Sequence, residues 1–240
     1  MGESLGRRWL AHWRRRNTTA WGSLLDEREI LLAALAVQPS GSVRVVVLEH
    51  LRAPEGLSGP AARDDWLVQT LRGPGEHLPA RLRTMALALR EGRCRQGVMD
   101  CPLELAAGAL EAEVQMEAAA ALGVEPSQVG FDFHAEPVTL QAVRRVHWAA
   151  CLRTELQHWQ DHARSAGWRL PVVEPEQQAA RRAAMHLGAE HWQQWATSAQ
   201  DWQFSLTAQR GMSDHDCRQL QSSPLWGPLV ACGAALGALL

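Results

Sequence analysis

Lysine and tyrosine do not occur anywhere in this 240-residue chain, so all 24 of its basic residues are arginines. Chemistry that needs a lysine amine, such as a Schiff base or the phosphate-gripping lysine of a Walker loop, is excluded. The GxGxxG, GxxxxGK, HExxH and GxSxG patterns are also missing, which removes the common signatures of dinucleotide binding, P-loop chemistry, zinc proteolysis and serine hydrolysis. No excess of one charge exists either: 24 basic residues face 26 acidic ones for a formal net charge of -2, which argues against a nucleic-acid binder held by phosphate contacts. The five cysteines Cys94, Cys101, Cys151, Cys217 and Cys232 are scattered and never form CxxC, so reduced thiols are expected instead of a disulfide frame or zinc knuckle. After Arg218 there is no charged residue, and the apolar stretch Leu225–Leu240 is shorter than the roughly 20 residues that span a bilayer. A buried terminal helix is expected there, with a membrane anchor packing through Gly233 and Gly237 as the alternative.

What is present is a hydrophobic fraction of 46%, enough for one ordinary domain or two small ones. Residues 1–22 are basic, with Leu5, Trp9 and Trp13 four apart among Arg7, Arg8, Arg14, Arg15 and Arg16. They read as an arm that could rest as an amphipathic helix on anionic lipid, or equally as a mobile tail. Glu29–Val37 and Ser42–Leu48 read as strands of a hairpin across Gln38-Pro39-Ser40-Gly41, with Val43, Val45 and Val47 on its buried face. A short helix over Ala61–Leu71 should end at Gly73-Pro74-Gly75, and Thr84–Arg90 alternates as a strand. Pro102 is placed to open a helix reaching Leu122, closed by Gly123. Then follow strands at Val129–Phe133 and Val146–Leu152, a helix Arg153–Ala166 stopped by Gly167, a strand at Arg169–Val173 and a helix from Pro175 to Leu187. Trp202, Phe204 and Leu206 alternate as a last strand that could pair with His191–Trp195. Strands and helices alternating in this way imply an α/β layered fold.

Candidate chemistry is sparse. His158 and His162 stand one helical turn apart, but without a glutamate between them or an evident third ligand, so a solvated face is expected and no metal. His215, Asp216 and Cys217 are adjacent, so their side chains diverge. The glutamates of the helix after Pro102 read as a solvent face. Most of the eleven tryptophans fall on core positions, which favours packing over a ligand-stacking platform.

Gly41-Ser42-Val43-Arg44-Val45-Val46-Val47-Leu48-Glu49 resembles the "GSSxVKxVEL" hairpin that opens the PilM family, actin-like cytoplasmic proteins of type IV pilus assembly. The similarity continues through Met85–Leu89 and through Leu105–Phe133, where the glutamate-rich helix leads by Val124-Glu125-Pro126 into Phe131-Asp132-Phe133. It extends over Val146–Cys151, Ala166-Gly167-Trp168, Val173–Ala183 and the closing Ala231-Cys232-Gly233-Ala234-Ala235-Leu236.

The resemblance implies an actin-like, ribonuclease H-like α/β fold over residues 23–188, with 189–240 as the remnant of a second lobe. Where the family carries "DIG" in its first, phosphate- and metal-binding loop, Val37-Gln38-Pro39-Ser40 stands here. Ser40, Gly41, Ser42 and Arg44 are then a degenerate phosphate-loop remnant, and no cofactor is expected. Only about 40 residues follow Gly188 before the terminal segment, too few for a full nucleotide-gripping lobe. The implied role is a non-catalytic scaffold for pilus assembly, twitching or DNA uptake, cytoplasmic and peripheral to the inner membrane. It would dock the N-terminal tail of a PilN-like inner-membrane protein near Leu110, Val129, Phe131 and Phe133, and a homo-oligomer is possible. A working actin-like ATPase and a GspL-like component of type II secretion are the alternatives.

Overall fold

The computed structural model describes residues 19–137, 143–187, 198–207 and 220–240. The arginine arm up to residue 18, His191–Trp195, His215, Asp216 and Cys217 lie outside the described residues. The chain divides into two compact units: the residues up to Ala88 with those from His162 onward, and Leu89–Asp161.

The first unit is built on a six-stranded sheet. Its strands are β1 (Thr19–Leu25), β2 (Glu29–Val37), β3 (Ser42–Arg52), β4 (Thr84–Leu89), β8 (Arg169–Pro175) and β9 (Gln203–Ser205), in the spatial order β8-β4-β1-β2-β3-β9. β1–β2 and β2–β3 pair antiparallel, whereas β1–β4 is parallel. The fold is α/β of the actin-like, ribonuclease H-like kind, as expected. The helices of this unit are α1 (Pro60–Glu76), α4 (Glu176–Leu187) and α5 (Trp226–Leu239).

Alternation along β1 sorts its two faces. Ala20 and Leu24 join the core that α4 and α5 build, and Gly22 abuts the backbone of Ala231 and Ala235. On the opposite face Trp21 meets Trp168 at a centroid distance of 5.3 Å, and Trp168 Nε1 donates to the Leu71 carbonyl of α1 at 2.7 Å. The register of β2 on β3 shifts between Ala34 and Leu35, a bulge that changes which side chains face inward. Val43 and Val45 are buried, but beyond the bulge Leu48 packs against the core where Val47 was expected.

The second unit is a three-stranded antiparallel sheet, ordered β5-β7-β6, of β5 (Cys94–Pro102), β6 (Val129–Ala135) and β7 (Val143–Leu152). Helix α2 (Ala107–Leu122) packs on one face through Leu110, Val114 and Ala118. Gly123 adopts φ 68°, and the Val124 amide reaches back to the Ala119 carbonyl at 3.1 Å, so the helix ends in the left-handed cap that its glycine predicted. α3 (Arg153–Ser165) follows β7 directly in the chain.

Four sequence expectations need correction. The boundary drawn at Gly22 falls inside β1, which an arginine-rich neighbourhood had hidden. Pro102 ends the edge strand β5, paired with Val143, and α2 starts five residues later; proline is tolerated at a strand's edge because it has no N–H to lose from the ladder. Helix α1 runs past Pro74 to Glu76. Finally, the described part of 189–240 joins the first unit: β9 is the sixth strand of its sheet, and α5 is buried in its core.

Candidate functional site

The turn that joins β1 to β2 is Asp26–Arg28, one hairpin earlier than the segment that the resemblance set against the phosphate loop. Ser40, Gly41 and Ser42 instead connect β2 to β3. Their groups are turned on one another: the Ser40 and Ser42 hydroxyls lie 2.9 Å apart, the Gly41 amide donates to the Gln38 carbonyl at 2.9 Å, and Arg44 pairs with Gln203 of β9. β1 itself carries no carboxylate, and its buried Ser23 donates to the Ala86 carbonyl at 3.3 Å. Two carboxylates of the first unit are buried, each with a fixed partner. Glu174 receives two bonds of 2.6 Å from Arg182, and Glu176 accepts the Trp226 indole N–H at 3.0 Å. His162 Nε2 lies 3.1 Å from Asp64 Oδ1, and His158 stands one turn earlier on α3.

The suggested peptide-gripping residues do come together, all on the α2-facing side of the second unit. Alternation along β6 puts Val129, Phe131, Phe133 and Ala135 on that side, and Leu110 meets them from α2. Leu110 and Val129 are enclosed in the core, so the half-buried Phe131 and Phe133 are the ones with surface to offer. β6 is an outer strand of its three-stranded sheet. Phe133 pairs across to Trp148, whose indole covers Gly97 so closely that a Cβ there would sit 2.5 Å from its Cζ2.

A cleft of about 670 Å³ opens elsewhere in the second unit, and sequence reading did not find it. Arg90, Gly92, Arg93 and Arg95 line one side, Ala121, Leu122, Val124 and Leu152 form an apolar floor, and Glu155 completes the wall. Arg93 holds Glu155 with bonds of 3.0 and 3.1 Å, and the same carboxylate accepts the Trp159 indole N–H at 2.6 Å. Its residues lie in three separate stretches of chain, 90–95, 121–124 and 152–155; only the run of arginines between Arg90 and Arg95 signals it in the sequence.

The four cysteines in the described residues are buried and outside any disulfide. Burial pushes the Cys151 thiol up to about 11, with the Glu155 charge adding to it, and burial likewise raises Cys101 and Cys232. None of these three is poised as a nucleophile at neutral pH.

No family model and no curated protein matches the chain. Solved structures do. A chain of the PilM-PilN type IV pilus biogenesis complex matches over 69% of this chain and 50% of its own length, at 20% identity and a TM-score of 0.56. The cytoplasmic domain of EpsL, an inner membrane component of the type II secretion system of Vibrio cholerae, matches over 67% of this chain and 58% of its own, at 13% identity and a TM-score of 0.50. The protein therefore spans about half to three-fifths of these neighbours and shares their fold.

Proposed function

We propose that the protein is a non-catalytic, actin-like scaffold of type IV pilus assembly or DNA uptake that docks the N-terminal tail of a PilN-like inner-membrane protein from the cytoplasmic side. The observation that carries the reading is the shared fold with a chain of the PilM-PilN complex, in a sequence whose strand motifs independently resemble that family. A scaffold role is supported by what surrounds the sheet. There is no lysine, β1 has no carboxylate to hold magnesium, and Glu174 and Glu176 are committed to Arg182 and Trp226. An extended tail added along β6 would gain backbone hydrogen bonds from the outer strand, with Phe131 and Phe133 offering ring surface to alternate side chains. Among the described residues no helix is long and apolar enough to cross a membrane, so attachment would run through the partner's tail or the arginine arm.

The likeness to EpsL favours a second reading, a component of type II secretion. Calorimetry with a synthetic PilN tail, taken from the same genome, separates the readings. Saturable micromolar binding that weakens about tenfold in Phe133→Ala supports the pilus scaffold. A flat isotherm with that tail, alongside binding of a secretion-system partner, overturns it in favour of secretion. Tight magnesium-dependent ATP binding would overturn the non-catalytic part.

A further inference from the structure

The arginine cleft lies within the second unit, apart from the residues of the tail-docking reading. We propose that it takes an acidic peptide segment in which carboxylates alternate with aliphatic side chains.

The charge count gives the sign of the ligand. Three guanidiniums line the cleft, from Arg90, Arg93 and Arg95, against the single carboxylate of Glu155. That carboxylate is already occupied by Arg93 and by the Trp159 indole, so it competes weakly for an incoming anion. Arg95 is fixed at the rim through bonds to the carbonyls of Glu91 and Cys94 at 3.1 and 3.2 Å, which orient its guanidinium without neutralising it. A planar guanidinium held in this way is preorganised for a carboxylate.

The floor gives the body of the ligand. Ala121, Leu122 and Val124 come from the end of α2 and its cap, and Leu152 from the end of β7. This surface is aliphatic throughout and carries no ring on which a base could stack, which disfavours single-stranded nucleic acid. A volume near 670 Å³ lies within the roughly 300–1,000 Å³ of sites that enclose a compact ligand, and it admits a few residues of peptide. Leu152 is 38% exposed at the floor, apolar surface that a leucine of the ligand would cover.

The test is fluorescence anisotropy of the full-length protein with a fluorescein-labelled peptide, Gly-Leu-Glu-Leu-Asp-Gly, beside its Gln/Asn analogue and an analogue with serine for both leucines. Saturable binding of the acidic peptide is expected, with both analogues weaker by about tenfold or more. Arg95→Gln, at an exposed position, should weaken the acidic peptide by a similar factor, and Leu152→Ser by several-fold. Arg145→Gln is the control: it stands seven residues, about 23 Å, up strand β7 from Leu152. Binding that ignores the amide substitution, or falls equally in Arg145→Gln and Arg95→Gln, overturns the proposal. So does an equal affinity for the serine analogue together with full displacement by millimolar inorganic phosphate, which would reveal a bare anion site.

Discussion

Gly233 of α5 lies against the backbone of Ala179 in α4, so closely that a Cβ at Gly233 would stand 1.8 Å from the Ala179 carbonyl oxygen. The two helices pack at this point without any side chain between them. Backbone cannot retreat as a flexible side chain can, so Gly233→Ala should cost about 3 kcal/mol or more in urea unfolding. Gly227 is the comparison: the nearest atoms to its added Cβ belong to the flexible Leu31 side chain, at 3.0 Å. There the roughly 1 kcal/mol of helix propensity gained by alanine offsets the strain, and Gly227→Ala should be close to neutral.

Arg182 and Glu174 form the buried ion pair of the first unit, with the Glu174 side chain 6% exposed and the Arg182 side chain 20%. Arg182 also donates to the Gly233 carbonyl at 2.9 Å, tying α4 to α5. Removing one charge strands the other, so Glu174→Met should destabilise by about 3–5 kcal/mol. The double variant Glu174→Met/Arg182→Met should recover most of that loss. A double-mutant cycle in denaturant checks both.

The thiols set an alkaline limit. Cys151 titrates near 9.0 when unfolded and is pushed up to about 11 when folded, so unfolding releases its proton between those values. Its contribution to stability is whole below pH 9 and falls as pH rises toward 11. In a Cys217→Ser background, native protein at pH 8 should react with an aromatic disulfide reagent far more slowly than protein in guanidinium. Equal rates would refute the burial of Cys94, Cys101, Cys151 and Cys232.

Trp148 bears on Gly97, and its indole N–H is buried with no partner among the described residues. Gly97→Ala should therefore overpack the sheet face by about 1–3 kcal/mol and alter the tryptophan signal in near-ultraviolet dichroism. Trp148→Phe removes a donor that has nothing to lose and should cost less than a full truncation, within about 2 kcal/mol.

The hairpin of β2 and β3 was legible because Val43 and Val45 alternate with Arg44, and the ends of α2 and α3 because Gly123 and Gly167 stand where helices need a left-handed residue. The inward phase past Val46 was not legible, since a bulge leaves no residue signature in Ala34-Leu35. β1 was obscured because Thr19–Leu25 shows no polar–apolar alternation and follows directly on an arginine-rich stretch. Pro102 misled because proline suits both a helix start and a strand end, and only pairing with Val143 decides. Of the candidate site, Phe131 and Phe133 could be read from β6 alternation. The cleft could not: its floor and its arginines are brought together by tertiary folding from three stretches of chain.

Helix α5 fills the core of the first unit against β1, which lies some 200 positions earlier in the chain. On the ribosome, β1 must therefore wait, its apolar face uncovered, until α5, some 200 residues later, has emerged. Residues 89–161 form a compact unit that is contiguous in the chain and can close while synthesis continues. The long-waiting strand is where a nascent chain of this protein would call on a chaperone.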